Sequence, residues 1–230
     1  MEVGTVRLKY LGFLLGVSLL ICSSAWANTL TFDFSDCSLI SSAATKPATC
    51  PNGTATGPLT YTVGGLSITA VGYDIAGQSK TDRLYVKSEG VEEDEIGLGI
   101  SDEQDHEINT THFIQLDLQN LISDGVTSGI LEIGSLSGDR YQYCLTNTAA
   151  AGSTTLSHCW TPSLGYGVLA NPITVYWGLT RYLDVRAKTN NVLIESLEVD
   201  PVDPVPEPGS MLLLASGLLG AAGYMRRRVG

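Results

Sequence analysis

The chain has 230 residues, of which 13 are Lys or Arg and 24 are Asp or Glu, so its formal net charge is −11 at pH 7. This charge excludes nucleic acid as a natural partner, because an acidic protein and a polyanion repel each other at long range. A divalent cation or a neutral polysaccharide is the better partner for such a chain.

The first 27 residues have the parts of an export signal. A short basic stretch precedes an apolar core over 11–21, and Ala25 and Ala27 are the small residues that signal peptidase requires. The sequence therefore predicts a signal peptide, removed by signal peptidase to leave Asn28 as the mature start. The alternatives are an uncleaved N-terminal anchor and, less favoured, a lipoprotein modified at Cys22.

The body of the chain, 28–200, is one domain by length and is large enough to bury a core. Short runs of alternating apolar and polar residues recur along it, and no convincing amphipathic helix interrupts them. The segment 115–123 also allows a short helical turn. The runs are 29–34, 59–63, 66–73, 83–87, 96–100, 112–118, 129–136, 140–146, 173–179, 181–187 and 192–199. The pattern predicts an all-β domain, an antiparallel β-sandwich of jelly-roll type.

Two positions in this pattern have particular consequences. Gly64 and Gly65 separate two short runs and predict a β-hairpin. In the run 112–118 the alternation places either Phe113 or Ile114 in the core, and the register that decides between them stays open.

Four cysteines lie in the body: Cys37, Cys50, Cys144 and Cys159. An even number in an exported chain favours two disulfides. Of the three possible pairings we expect Cys37–Cys50 and Cys144–Cys159, because each pair is close in sequence and flanks a loop of small polar residues. A zinc site is the alternative, but the chain contains no CxxC spacing.

Carboxylates are concentrated between positions 89 and 107, around an apolar stretch punctuated by glycine. Calcium is the cation that oxygen ligands on a flexible loop select, and Asp102, Asp105 and Glu107 are the candidate ligands. The spacing does not match an EF-hand loop. The interpretation that we favour is a solvated acidic surface that keeps the protein soluble, and calcium binding is the alternative to it.

Aromatic residues cluster in the C-terminal half of the body. Trp160 and Tyr166, in a loop rich in Pro and Gly, are the candidates for stacking on a sugar ring, whereas Trp177 is expected in the core. No HExxH or GxSxG motif or phosphate loop occurs, and His106 beside Asp105 is better explained as an exposed loop residue than as an acid–base pair. We therefore expect no catalytic residues and no required cofactor.

The tail has three parts in a fixed order. A Pro-rich linker over 201–208 includes Val205, Pro206, Glu207 and Pro208, and it is followed by seventeen uncharged residues, 209–225. A membrane-spanning helix needs about 20 apolar residues, with about 17 as the lower limit, so this run predicts a single transmembrane helix within the segment 209–230. The basic end predicts that the C-terminus faces the cytoplasm. That end consists of Arg226, Arg227 and Arg228.

This order of motif, apolar span and basic end resembles the PEP-CTERM sorting signal of Gram-negative bacteria. The resemblance covers the residues from Val205-Pro206-Glu207-Pro208 to the arginine triplet. It implies recognition by exosortase, a membrane-embedded cysteine transpeptidase-like enzyme, and cleavage near the Pro-Glu-Pro motif. It also implies an association with exopolysaccharide and the biofilm matrix. The alternative is a C-terminal membrane anchor that is never cut.

Together these features predict a non-enzymatic protein of the cell surface or extracellular matrix. Its expected partners are signal peptidase and exosortase as processing enzymes, the inner membrane as a transient anchor, and exopolysaccharide. A lectin-like carbohydrate-binding module is the first alternative, and a polysaccharide-active hydrolase is the second.

Overall fold

The computed structural model describes residues 29–76, 83–88, 95–134, 139–149, 159–163, 170–201 and Gly217. Within 29–201 these residues form thirteen strands and one short helix, α1 (Gln119–Ser123), in the compact unit Asn28–Val202. The strands are β1 Leu30–Asp33, β2 Gly53–Thr54, β3 Leu59–Val63, β4 Leu66–Asp74, β5 Leu84–Lys87, β6 Gly97–Ile100, β7 His112–Asp117, β8 Ser128–Ile133, β9 Arg140–Thr146, β10 Cys159–Trp160, β11 Ile173–Tyr176, β12 Tyr182–Thr189 and β13 Ile194–Val199.

The described strands make two sheets, and every pairing in them is antiparallel. A seven-stranded sheet has the order β11-β8-β13-β6-β5-β2, with β1 also paired to β13. A six-stranded sheet has the order β10-β9-β12-β7-β4-β3. The prediction of two antiparallel sheets with almost no helix is confirmed.

One hydrophobic core lies between the two sheets, because alternate residues of each strand point to the same side. The six-stranded sheet contributes Leu183 and Val185 of β12, and the seven-stranded sheet contributes Leu131 and Leu197. All four side chains are fully buried. Burial of this kind is the main favourable contribution to the stability of a sandwich domain.

The register that the sequence left open at 112–118 is decided by this core. Ile114 faces the core, and Phe113 lies on the opposite face of the six-stranded sheet. Phe113 is nevertheless buried, and its ring stacks on that of Tyr73 at a centroid distance of 5.4 Å. The second face of this sheet is therefore also partly covered.

Both predicted disulfides are present, Cys37–Cys50 and Cys144–Cys159. The second joins residues that lie directly opposite each other on β9 and β10, so it fixes the two-residue strand β10 to the sheet. The hairpin at Gly64 and Gly65 also forms, with Val63 opposite Leu66 and positive φ at both glycines.

Among the described residues, no helix combines the length and the apolar character needed to cross a membrane. The predicted signal peptide with Ala25, Ala27 and Asn28 lies outside these residues. The predicted span 209–225 also lies outside them, apart from Gly217.

Candidate functional site

A buried cluster of one lysine and two glutamates lies on the outer face of the seven-stranded sheet. Lys87 ends β5 and points away from the core, since its neighbour Val86 faces inward. The segment that follows β6 covers this face: the Tyr85 ring stacks on His106 at a centroid distance of 4.2 Å, and Lys87 Nζ donates to the Asp105 carbonyl at 3.4 Å.

Glycine makes this close covering possible. Gly99 of β6 lies opposite Tyr85, and a Cβ built at position 99 would come within 2.0 Å of the His106 carbonyl oxygen. Any larger residue would push the covering segment off the sheet. The alternation thus places Gly99 under this segment and its neighbours Leu98 and Ile100 in the core.

The charges of the cluster are concentrated in a small volume. Lys87 Nζ lies 3.1 Å from Glu107 Oε1 and 3.6 Å from Glu95 Oε2. Burial raises the pKa of Glu107, a hydrogen bond with Glu95 raises it further, and Lys87 acts in the opposite direction. The carboxyl group of Glu107 therefore keeps its proton to a higher pH than an exposed glutamate does.

The predicted calcium ligands Asp102, Asp105 and Glu107 are not assembled into one site. Glu107 is 4% exposed and is engaged with Lys87, and Asp102 forms an ion pair with Arg83 at 3.8 Å. Asp105 sits at a positive φ of 60° within the 3₁₀ turn Gln104–His106. The sequence could not predict this separation, because Lys87, which pairs with Glu107, lies on β5 and becomes its neighbour only in the folded sheet. Calcium binding by the acidic segment stays a prediction.

A different group of possible metal ligands does come together among the described residues. Asp102, Glu103 and His112 each place one ligand atom within 4.8 Å of the others. An imidazole nitrogen beside carboxylate oxygens suits zinc better than calcium. However, Glu103 Oε1 lies 2.5 Å from His112 Nδ1, and Asn109 Nδ2 donates to Glu103 Oε2. Glu103 is thus bonded to both His112 and Asn109, and Asp102 pairs with Arg83, so these side chains form a hydrogen-bonded and ion-paired cluster.

Trp160 lies at the rim of a cavity of about 370 Å³ between the edge strands of the two sheets. Its side chain is 45% exposed, and its ring stacks on Tyr143 of β9 at a centroid distance of 5.4 Å. The Cys144–Cys159 disulfide holds the preceding residue, so this aromatic pair is fixed to the sheet. The cavity walls also include Thr161, Pro162, Ile173 and Thr174. The second predicted sugar-binding residue, Tyr166, lies outside the described residues.

A second cavity, of about 380 Å³, lies on the outer side of the seven-stranded sheet. Its lining includes Tyr176, Ile130 and Thr174, together with the carboxylates Glu198 and Asp200. Tyr176 is 75% exposed. Trp177, expected in the core, is buried there, and its indole N–H donates to the Val126 carbonyl at 3.0 Å.

One carboxylate is buried on the face of the six-stranded sheet that points away from the core. Asp184 is 1% exposed and accepts a hydrogen bond from Gln115 Nε2 at 2.8 Å on its Oδ1 atom. Its Oδ2 atom has no hydrogen-bond partner within the described part of the chain. Burial raises the pKa of Asp184 to about 7, against the opposing effects of Gln115 and Arg186.

The comparison with protein families identifies the tail. The two antiparallel sheets are followed in the chain by a segment, residues 204–228, that matches the family model of the PEP-CTERM protein-sorting motif. The chain therefore carries this motif at its C-terminus, which marks an exported protein sorted by an exosortase to the cell surface or beyond. The matched residues include Val205, Pro206, Glu207, Pro208 and the arginines 226–228. No match is found among curated proteins or solved structures.

The buried Asp184 predicts a stability that depends on pH. Its pKa is higher in the folded protein, about 7, than its ordinary value of 3.8, so its contribution to stability is complete below pH 3.8 and is lost as the pH rises through 7. A pKa change of this size corresponds to a loss of up to about 4 kcal/mol. Asp184→Asn keeps the acceptor for Gln115 and should flatten the dependence. Urea unfolding of both proteins between about pH 4 and pH 8 measures it.

Asp124 is exposed, so Asp124→Asn is the matched control, and its stability should depend on pH as that of the wild type does. Wild-type and Asp184→Asn curves that stay parallel over the whole pH range would contradict the assignment.

Proposed function

We propose that this protein is a non-enzymatic component of the cell surface or extracellular matrix, delivered by exosortase and associated with exopolysaccharide. The observation that carries the proposal is the sorting motif at 204–228. The body is suited to such a location, because two disulfides and a single sandwich core allow it to persist outside the cell.

The proposal covers the processing of both ends of the chain. The N-terminal signal directs the chain through the inner membrane, and the apolar run 209–225 holds it there transiently. Exosortase then cuts near Pro206, Glu207 and Pro208 and releases the body or transfers it to another acceptor. The proline residues of the linker favour an extended backbone, which is the form that a protease site accepts.

C-terminal mass spectrometry of the mature protein from its host tests this proposal. We expect the chain to end near the Pro-Glu-Pro motif, without Arg226, Arg227 and Arg228. Changing Pro206 and Pro208 to alanine should leave the tail attached, whereas Pro201→Ala, in the same linker but outside the motif, should not. A native protein that still carries its arginine triplet would contradict cleavage.

A second function is favoured by the cavity beside Trp160. An exposed aromatic ring fixed by stacking on Tyr143 offers a flat apolar surface to the face of a sugar, and Thr161 and Thr174 place hydroxyl groups on the same cavity. The net charge of −11 favours a neutral polysaccharide over an acidic one. We therefore propose carbohydrate binding at this cavity as the activity of the body.

Trp160→Ala tests this binding. Loss of the stacking surface should weaken retention by the host exopolysaccharide at least about tenfold, which corresponds to about 1.4 kcal/mol. Affinity electrophoresis in gels that contain the polysaccharide measures the change. Tyr176→Ala removes an exposed aromatic residue from the other cavity and should leave retention unchanged. Equal retention of Trp160→Ala and the wild type would exclude this cavity.

A further inference from the structure

The cluster of Lys87, Glu95 and Glu107 has features that an ordinary ion pair does not need. All three side chains are nearly inaccessible, with exposed fractions of 3%, 7% and 4%. A buried ion pair contributes little net stability, because the loss of hydration of both charges offsets their attraction. Here a second carboxylate is buried with the pair, which adds a further charge to desolvate.

The same three groups are the reactants and the proton carrier for amide formation. An amine attacks a carboxyl group only when the amine has lost its proton and the carboxyl carries one, and in water the opposite charged forms prevail. Burial favours the neutral form of a carboxyl group. The raised pKa of Glu107 agrees with a protonated carboxyl at this position.

We propose that Lys87 and Glu107 condense to an intramolecular amide bond, with Glu95 as the proton carrier. Lys87 Nζ is already 3.1 Å from the Glu107 carboxyl group, and Glu95 is hydrogen-bonded to that group. Well-oriented intramolecular reactions reach effective concentrations on the order of 10⁵–10⁸ M, which is the advantage that such a placement offers. The exclusion of water also favours the amide, since water is a product of its formation.

The step balances without any added reagent. Glu95 accepts a proton from the Lys87 ammonium group, and the neutral amine then attacks the Glu107 Cδ atom. A new N–C bond forms, one C–O bond breaks, and Glu95 returns its proton to the departing hydroxyl group. Glu95 also takes up the second proton that the nitrogen loses when the neutral amide forms. One water molecule leaves, nothing is oxidised or reduced, and Glu95 ends protonated, so it releases one proton to solvent to return to its starting form.

Geometry favours Glu107 over Glu95 as the acceptor. The amine is closer to Glu107, at 3.1 Å against 3.6 Å, and its hydrogen bond to the Asp105 carbonyl draws it towards the segment that carries Glu107. Two other lysines in the described residues are differently placed. Lys46 Nζ donates to the Cys37 carbonyl, and Lys188 Nζ donates to Thr161 Oγ1.

The bond would have a clear structural effect that does not depend on the proposed function. It would join the end of β5 to a residue 20 positions later and close a loop around β6 and most of the acidic segment. With Cys37–Cys50 and Cys144–Cys159 it would be a third covalent link in the sandwich. Unlike the disulfides, it would survive reduction.

Mass spectrometry of the exported protein purified from its host, after reduction and alkylation, tests the proposal. The measured intact mass should be lower, by one water molecule, than the mass calculated from the sequence of the mature chain. Proteolysis should give one branched peptide that contains both Lys87 and Glu107, with no trypsin cleavage after Lys87. Lys87→Arg keeps a positive charge but lacks the nucleophilic amine, so it should show the full mass. Lys188→Arg is the matched control and should still lose one water.

Glu95→Gln should fold, because the two side chains have nearly the same volume. It should show the full mass, because the proton carrier is gone and no amide forms. If Glu95→Gln forms the Lys87–Glu107 amide as completely as the wild type, Glu95 is not the proton carrier. The wild-type peptide map decides the main claim even if variants fail to fold. Trypsin cleavage after Lys87 in the folded wild type, or a missing water located at another residue, would overturn the proposal.

Discussion

The packing of one face of each sheet against the other is the constraint on which the structure depends. The described part of 29–201 has a single α-helix, of five residues, so the sheets must cover each other. Alternation then assigns every side chain to the core or to the opposite face, and a shift of one residue in any strand would exchange the two sets. Ile114 in the core and Phe113 outside it show this choice in a single strand.

The residues on the outer faces acquire their roles from the same assignment. On the seven-stranded sheet, Tyr85 and Lys87 point outward and are covered by the segment after β6, because Gly99 leaves room for it. On the six-stranded sheet, Asp184 points outward between β7 and β9 and is buried there. Buried ionisable groups are costly, and in both places they are kept by a specific partner, Glu107 or Gln115.

Sequence patterns were sufficient for features that depend on neighbouring residues. The hairpin at Gly64 and Gly65 and both disulfide pairings follow from short spacings, and the structure contains them. The two-residue strand β10 was not predicted, because its alternation is too short to detect. The fate of Glu107 was missed for another reason: it depends on Lys87 and on Gly99, which become neighbours only when the sheet forms.

The sorting motif and the body have separate physical roles in this account. The motif at 204–228 depends on local sequence, whereas the body depends on contacts made across the whole of Asn28–Val202. Fusion of residues 201–230 to an unrelated exported reporter, in a host that contains the exosortase, tests this separation most directly. The account predicts that mass spectrometry finds the reporter cut near the Pro-Glu-Pro motif. A reporter that keeps the entire tail, beside a native protein that loses it, would contradict the account.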